Sequence, residues 1–569
     1  MTPAAIPRRR RRVHILPLFA PALTLPALAL AALARAALLV RPDALFNARP
    51  LIEDAWYALT VARWLARGAS FSADGMQPTN GVQPLIVLFD APLFAFFGDA
   101  VAVRLALAVC MVIEAALAWM LYATVRDMAR ERAHGARAGT VAALLLLWSP
   151  SALVSTLNGL ETGLAALAAL VIVRLWMRME DTVRHRDPGP LHAAPLPAEA
   201  SALRIGPDTA VLWRALMAGV AAGLGVLARI DIAFLIVVLT LLTLARMLRS
   251  MPTDTLRRRS DRQRVFACVL IAGATALAVS APWWIYNAST FGHLTPTSGL
   301  SQRLAIPFSE NITALVQALL NALLVIGYVP YSPSLLLVHR TMLVALAVAG
   351  VIVAVVPALR RSLVAGLRAL RAGWCGRRLL PLGLFVAALA CYYVLDFGAP
   401  HFLQRYLFLL RILAFIGAGI TIEELRIRLS PARRRLASAA GIAVTAAVFG
   451  FWFAWNFSPA KAAANDFLAV SEWVRAHVPP GERVGMGQSG TAGFFNENVV
   501  NLDGKVNAAV FEATRAGRLC AFVDSARYEW LIDWPHFFAR FDGCTTMRGY
   551  TLVDSVGRFR IYRRIPDVK

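Results

Sequence analysis

Apolar residues along this chain gather into long runs separated by short polar bursts. A stretch of about eighteen or more apolar residues suits a membrane-crossing helix, whereas about 10 to 14 marks an interfacial or re-entrant segment. On that basis about eleven spans are predicted, near 15–40, 101–125, 139–157, 163–178, 212–228, 232–248, 264–287, 340–359, 379–397, 405–424 and 436–457. Two further apolar stretches, 84–97 and 311–330, are assigned to the interface, with a true span as the alternative for the second; the first carries Asp90 and two prolines. After Phe457 the pattern changes. A helix over Lys461 to His477, a strand over Arg483 to Gly487, a short helix, a strand over Val499 to Leu502 and a hairpin turning at Val556-Gly557 predict a small α/β unit. Two units follow: a membrane module over 1–457 and an α/β domain over 458–569.

Arginine supports this count. With Arg8 to Arg12 inside, eleven spans place the basic loops 126–138, 249–263, 360–378 and 425–435 on the inner side, together with the proline- and alanine-rich insert 179–211. Counting the interfacial stretches as spans puts 126–138 and other basic loops on the wrong side. The first apolar run exceeds a signal-peptide core, so Ala32-Leu33-Ala34 reads as part of a retained anchor. The expected location is a bacterial inner membrane, with a cytoplasmic N-terminus and a periplasmic C-terminal domain.

Composition agrees. Of 569 residues 58% are hydrophobic and 16% charged, with a mean hydropathy of +0.59, which excludes an ordinary cytosolic enzyme and a disordered chain. The net charge of +24 is nearly all arginine in loops, so it orients the chain among membrane lipids and is not read as a nucleic-acid surface. Among the six cysteines, only Cys520 and Cys544 fall in the tail assigned to the oxidising side, where a bridge between them is expected.

The polar clusters lie at the outer edge. The first outer loop opens with Glu53-Asp54-Ala55-Trp56-Tyr57, two adjacent carboxylates able to accept a proton or hold a divalent cation, though acids also suit a helix N-terminus. Asn80 lies in the turn-rich segment leading to Gln83-Pro84. Other outer turns bring Glu161, Arg229 with Asp231, His293, Ser298, Arg303, and Arg405 with Tyr406. Glu114, deep in a predicted span, is costly there and needs a partner. It is the mark of a rival class, a transporter of lipid-linked or small polar substrates; a non-catalytic envelope protein displaying the tail is a third.

The Glu53–Tyr57 segment, the interfacial helix entered through Gln83-Pro84 and the paired-helix turn bearing Glu161 resemble the GT-C membrane glycosyltransferases. The likeness is to bacterial members of the protein mannosyltransferase, lipid A aminoarabinose transferase and arabinofuranosyltransferase group. Phe291-Gly292, Pro296-Thr297-Ser298-Gly299 and Asn501-Leu502-Asp503-Gly504-Lys505-Val506-Asn507 are similar to one bacterial subgroup. The resemblance implies a helical GT-C-like fold and a polyprenyl-phosphate sugar donor. It also implies inverting transfer to an envelope glycan, lipid or protein on the outer face. Asp54 is then the base with Glu53 beside it, and Glu161 orients the acceptor or joins Asp54 around a Mg or Mn ion. Arg405, Arg303 and Arg229 are the candidates for the donor phosphate, and His293, Ser298, Tyr406 and Asn80 for substrate. Two positions depart from the pattern: Gln83-Pro84 replaces a Pro-Pro pair, and Arg303 stands where lysine is expected.

Overall fold

A computed structural model describes residues 21–128, 134–184, 207–249, 256–304, 306–327, separate positions between 343 and 368, and 379–566. Arg8 to Arg12, Cys375, the centre of the 179–211 insert and much of the predicted span 340–359 lie outside the described residues.

Each of the other ten predicted spans contains helix. Among the described residues five helices are long and apolar enough to cross a membrane, including Asp99–Met128, Arg262–Phe291 and Pro431–Asn456. Two bent pairs raise the number to seven. Thr24–Leu39, Ile232–Leu248 and Leu380–Leu395 are apolar but shorter. Two expected spans are not continuous. The span 405–424 contains the 45° bend between Pro400–Tyr406 and Phe408–Ile427. The run 139–157 breaks into Gly135–Leu147 and Pro150–Thr156, bent by 69°, because Pro150 lacks an N–H and Ser149 caps the new helix by accepting from Ala152 N.

Glu114 has the partner its burial demands. Arg35 donates to both of its oxygens at 2.5 and 3.0 Å, and Thr156 donates to one of them at 2.9 Å. Arg35 also donates to the carbonyl of Leu147, so the pair ties four helical segments together.

The tail folds as an α/β unit with five strands: β1 (Val484–Met486), β2 (Val499–Asn501), β3 (Trp530–Asp533), β4 (Tyr550–Val556) and β5 (Phe559–Arg564). Their order is β2-β1-β3-β5-β4, with β1 parallel to β2 and β3, and β5 antiparallel to β3 and β4. The expected hairpin is β4–β5, and Gly557 supplies its positive φ of 53°. The expected helix over Lys461 to His477 is two helices. Asn465 interrupts it by accepting from the N–H groups of Phe467 and Leu468, capping Asp466–His477. Cys520 and Cys544 are bonded, with Cα atoms 6.5 Å apart.

Candidate active site between the membrane helices and the tail

The helix Glu53–Ala66 organises the site. Two acids in its first turn suit the partial positive charge there, and every residue from Ala55 to Arg63 is buried. Successive residues on a helix point about 100° apart, so the two neighbouring carboxylates diverge.

Glu53 turns toward the tail. Its oxygens accept from the N–H groups of Gly490 and Thr491, at 2.5 and 3.1 Å, and from the Thr491 hydroxyl. Burial pushes its pKa up to about 8 against these hydrogen bonds. Further contacts from the same helix hold the tail. The Tyr57 hydroxyl donates to Gly487 O and accepts from Ser489 N, Arg63 donates to Phe494 O, and Arg67 pairs with Glu497. The Trp56 ring lies 4.9 and 5.1 Å from those of Phe494 and Phe495. Glu53, expected beside the base, is a docking residue in this arrangement.

Asp54 turns the other way, into a cavity of about 350 Å³ that Glu161, Arg229, Arg303, Arg405 and Tyr406 also line. Arg405 Nη1 donates to Asp54 Oδ2 at 3.3 Å and Nη2 to the Tyr406 hydroxyl at 3.3 Å. Its Nε is buried with no hydrogen-bond partner. Glu161 is buried, within electrostatic reach of both Arg229 and Arg405. Five separate segments therefore bring their polar residues to one place: Asp54, Glu161, Arg229, Ser298 with Arg303, and Arg405.

The three arginines are not equivalent. Arg229 Nε donates to both oxygens of Asp231, at 2.8 and 3.0 Å, and Nη2 to the carbonyl of Tyr406. Its charge is met locally, and Asp231 also accepts from the Tyr393 hydroxyl, whose ring stacks on Tyr406 at 4.4 Å. Arg303 stands at the rim, paired with Asp396 at 2.5 Å and 37% exposed. Arg405 is part-buried and is the one of the three that pairs with Asp54.

Two expected substrate contacts lie elsewhere. Asn80 is fully buried and accepts from both the N–H and the hydroxyl of Thr297, pinning Thr297–Ser301 to the first outer loop. His293 does not line the cavity and lies against Phe291. Among the lining residues absent from the expected site is a cation: Lys505, from the tail, reaches the cavity wall beside Val506. Its signal was present in the Asn501–Asn507 motif and in the scarcity of lysine, three in the whole chain. Asp54 and Glu161 share the cavity, but among the described residues no three His, Cys, Asp or Glu side chains gather as a metal-binding group. Cations stand beside both acids, so no chemical step here is assigned to a metal.

Comparisons with known proteins add the fold. The chain is similar over 96% of its length to ArnT from Cupriavidus metallidurans, solved bound to undecaprenyl phosphate. That match covers 99% of ArnT, with a TM-score of 0.56 and 14% identity. The Archaeoglobus fulgidus oligosaccharyltransferase in its apo form matches over 97% of this chain and 75% of its own, with a TM-score of 0.49 and 12% identity. The fold expected from the outer-loop motifs is thus the fold observed: a helical GT-C-like membrane module carrying a small sheet domain. Residues 456–567 match a family model described as Domain of unknown function (DUF8728). No curated protein matches the chain in sequence.

Proposed function

We propose that this protein is a membrane glycosyltransferase that moves a sugar from a polyprenyl-phosphate donor to an envelope acceptor, with inversion. The observation that carries the reading is Asp54 and Arg405 held 3.3 Å apart in one cavity. Asp54 takes the proton of the acceptor hydroxyl as its oxygen bonds to the anomeric carbon. The bond from that carbon to the phosphate oxygen breaks, and its electron pair leaves on the phosphate. Arg405 meets the charge of the departing phosphate, for which a planar guanidinium is well shaped. Glu161, which lines the same cavity, orients the acceptor. Incubating the purified protein with a panel of polyprenyl-phosphate sugars and an envelope extract is expected to release free polyprenyl phosphate from one of them. Release from none would remove this reading.

The reading also sets orientation: the N-terminus inside, the tail outside, in a bacterial inner membrane. Glu472 is exposed in the tail and Ser430 is exposed in the loop 425–435. In a background with Cys110, Cys268, Cys375 and Cys391 replaced, an impermeant thiol reagent added outside is expected to label Glu472→Cys and spare Ser430→Cys. The reverse pattern would invert the topology.

A further inference from the structure

The segment Asn501-Leu502-Asp503-Gly504-Lys505-Val506-Asn507 is a built loop. Asn501 Oδ1 accepts from Gly504 N at 3.1 Å, and Asp503 Oδ1 accepts from Lys505 N at 2.8 Å. Asn507 donates to Asn501 O and caps the next helix by accepting from Val510 N. Gly504 has a φ of +83°, a left-handed conformation that favours glycine. These hydrogen bonds use the other side chains and the backbone, and the Lys505 ammonium is held within the same loop by an ion pair with Asp503. It lies 3.2 Å from Asp503 and over the ring of Phe402, 5.9 Å from its centre. The same ring carries the Arg405 guanidinium at 4.6 Å. Both cations also act electrostatically on Asp54. Burial opposes the charge on Lys505, but Asp503 and Asp54 outweigh it and hold its pKa above the ordinary lysine value.

The approach of this loop to the membrane module is equally constrained. A Cβ at Gly81 would lie 1.9 Å from the carbonyl oxygen of Lys505, so only glycine in the first outer loop admits the Lys505 backbone. A Cβ at Gly490 would lie 2.3 Å from the carbonyl oxygen of Glu53. Contact at both places, with the Glu53 and Tyr57 hydrogen bonds between them, places Lys505 with the precision of a core contact.

We infer that the C-terminal domain is a working part of the active site: its Asn501–Asn507 loop inserts Lys505 as a second cation, which with Arg405 grips the phosphate of the lipid-linked donor. The inference rests on the glycosyltransferase reading and assigns a role to the domain matched over 456–567.

The test is binding of undecaprenyl phosphate to the full-length protein in detergent, compared among wild type, Lys505→Gln, Lys505→Arg, Gly81→Ala and Arg405→Gln. Hydrogen bonds to charged groups are worth about 1.5–3 kcal/mol, so Lys505→Gln is expected to weaken binding by about tenfold or more. Lys505→Arg is expected to restore most of that loss, which a merely structural role would not require. Gly81→Ala displaces the loop and weakens binding with Lys505 still present. Melting temperature, read in parallel, is expected to fall modestly for Lys505→Gln, which leaves Asp503 without its cation, and to stay near wild type for Lys505→Arg, which keeps that pair. Unchanged affinity in Lys505→Gln with a clear loss in Arg405→Gln would overturn this inference and leave the glycosyltransferase reading standing. Unchanged affinity in both would overturn the two together.

Discussion

Asp54→Asn is expected to reduce sugar transfer by about 10²–10⁴-fold, the usual contribution of a general base. The change keeps the size of the side chain and its place in the cavity beside Arg405, and removes the capacity to take a proton together with the charge opposite Arg405. Donor binding, measured with undecaprenyl phosphate, is expected to stay within a few-fold of wild type on the scale of a neutral-for-charged exchange at one contact. The neighbouring change Glu53→Gln supplies the contrast. Glu53 accepts hydrogen bonds from Gly490 and Thr491 and does not line the cavity, so its first effect is on melting temperature. Wild-type turnover in Asp54→Asn would dismiss Asp54 as the base.

Glu114→Leu is expected to cost about 3–5 kcal/mol of stability, because it leaves the Arg35 guanidinium buried without its carboxylate. The loss would appear as a large fall in melting temperature and in yield of folded protein. Turnover per folded molecule is expected to survive, since Glu114 does not line the cavity and is bonded to Arg35 and Thr156. This decides between two uses of an intramembrane acid. A transport or proton-relay carboxylate has to change partners during its cycle, whereas a structural one is satisfied at rest. A Glu114 variant that stays as stable as wild type but loses all transfer would point to a functional role.

Much of the architecture was legible because membrane folding is governed by local accounting. In hydrocarbon each backbone N–H and C=O must be satisfied within its own segment, so long apolar runs such as 101–125 and 264–287 had to be helices. The β4–β5 hairpin was equally local, with a glycine where the turn needs positive φ. The 139–157 run was read as continuous although Ser149-Pro150 already carries the chemistry of a new helix start. The cysteine bridge followed from compartment and elimination, and the Cα separation of 6.5 Å admits it.

What the chain by itself determined, then, was the helical membrane module, the α/β tail, the disulfide pair and a set of inter-helix turns rich in acids and arginines. Tertiary structure alone decided which of those groups meet. Glu53 and Asp54 are indistinguishable by type and position, and they part only because Gly490–Phe495 packs on one side of their helix while the cavity opens on the other. The difference between Arg229 and Arg405 depends on what stands opposite each: Asp231, two residues away, in one case and Asp54, across the fold, in the other. Lys505 reaches the cavity from a separate domain, through a contact that Gly81 permits. Hydrophobic pattern is a property of neighbours in sequence and survives without the fold. The direction a side chain faces, and the charge it finds there, arise from contacts between segments hundreds of residues apart, which no local pattern encodes.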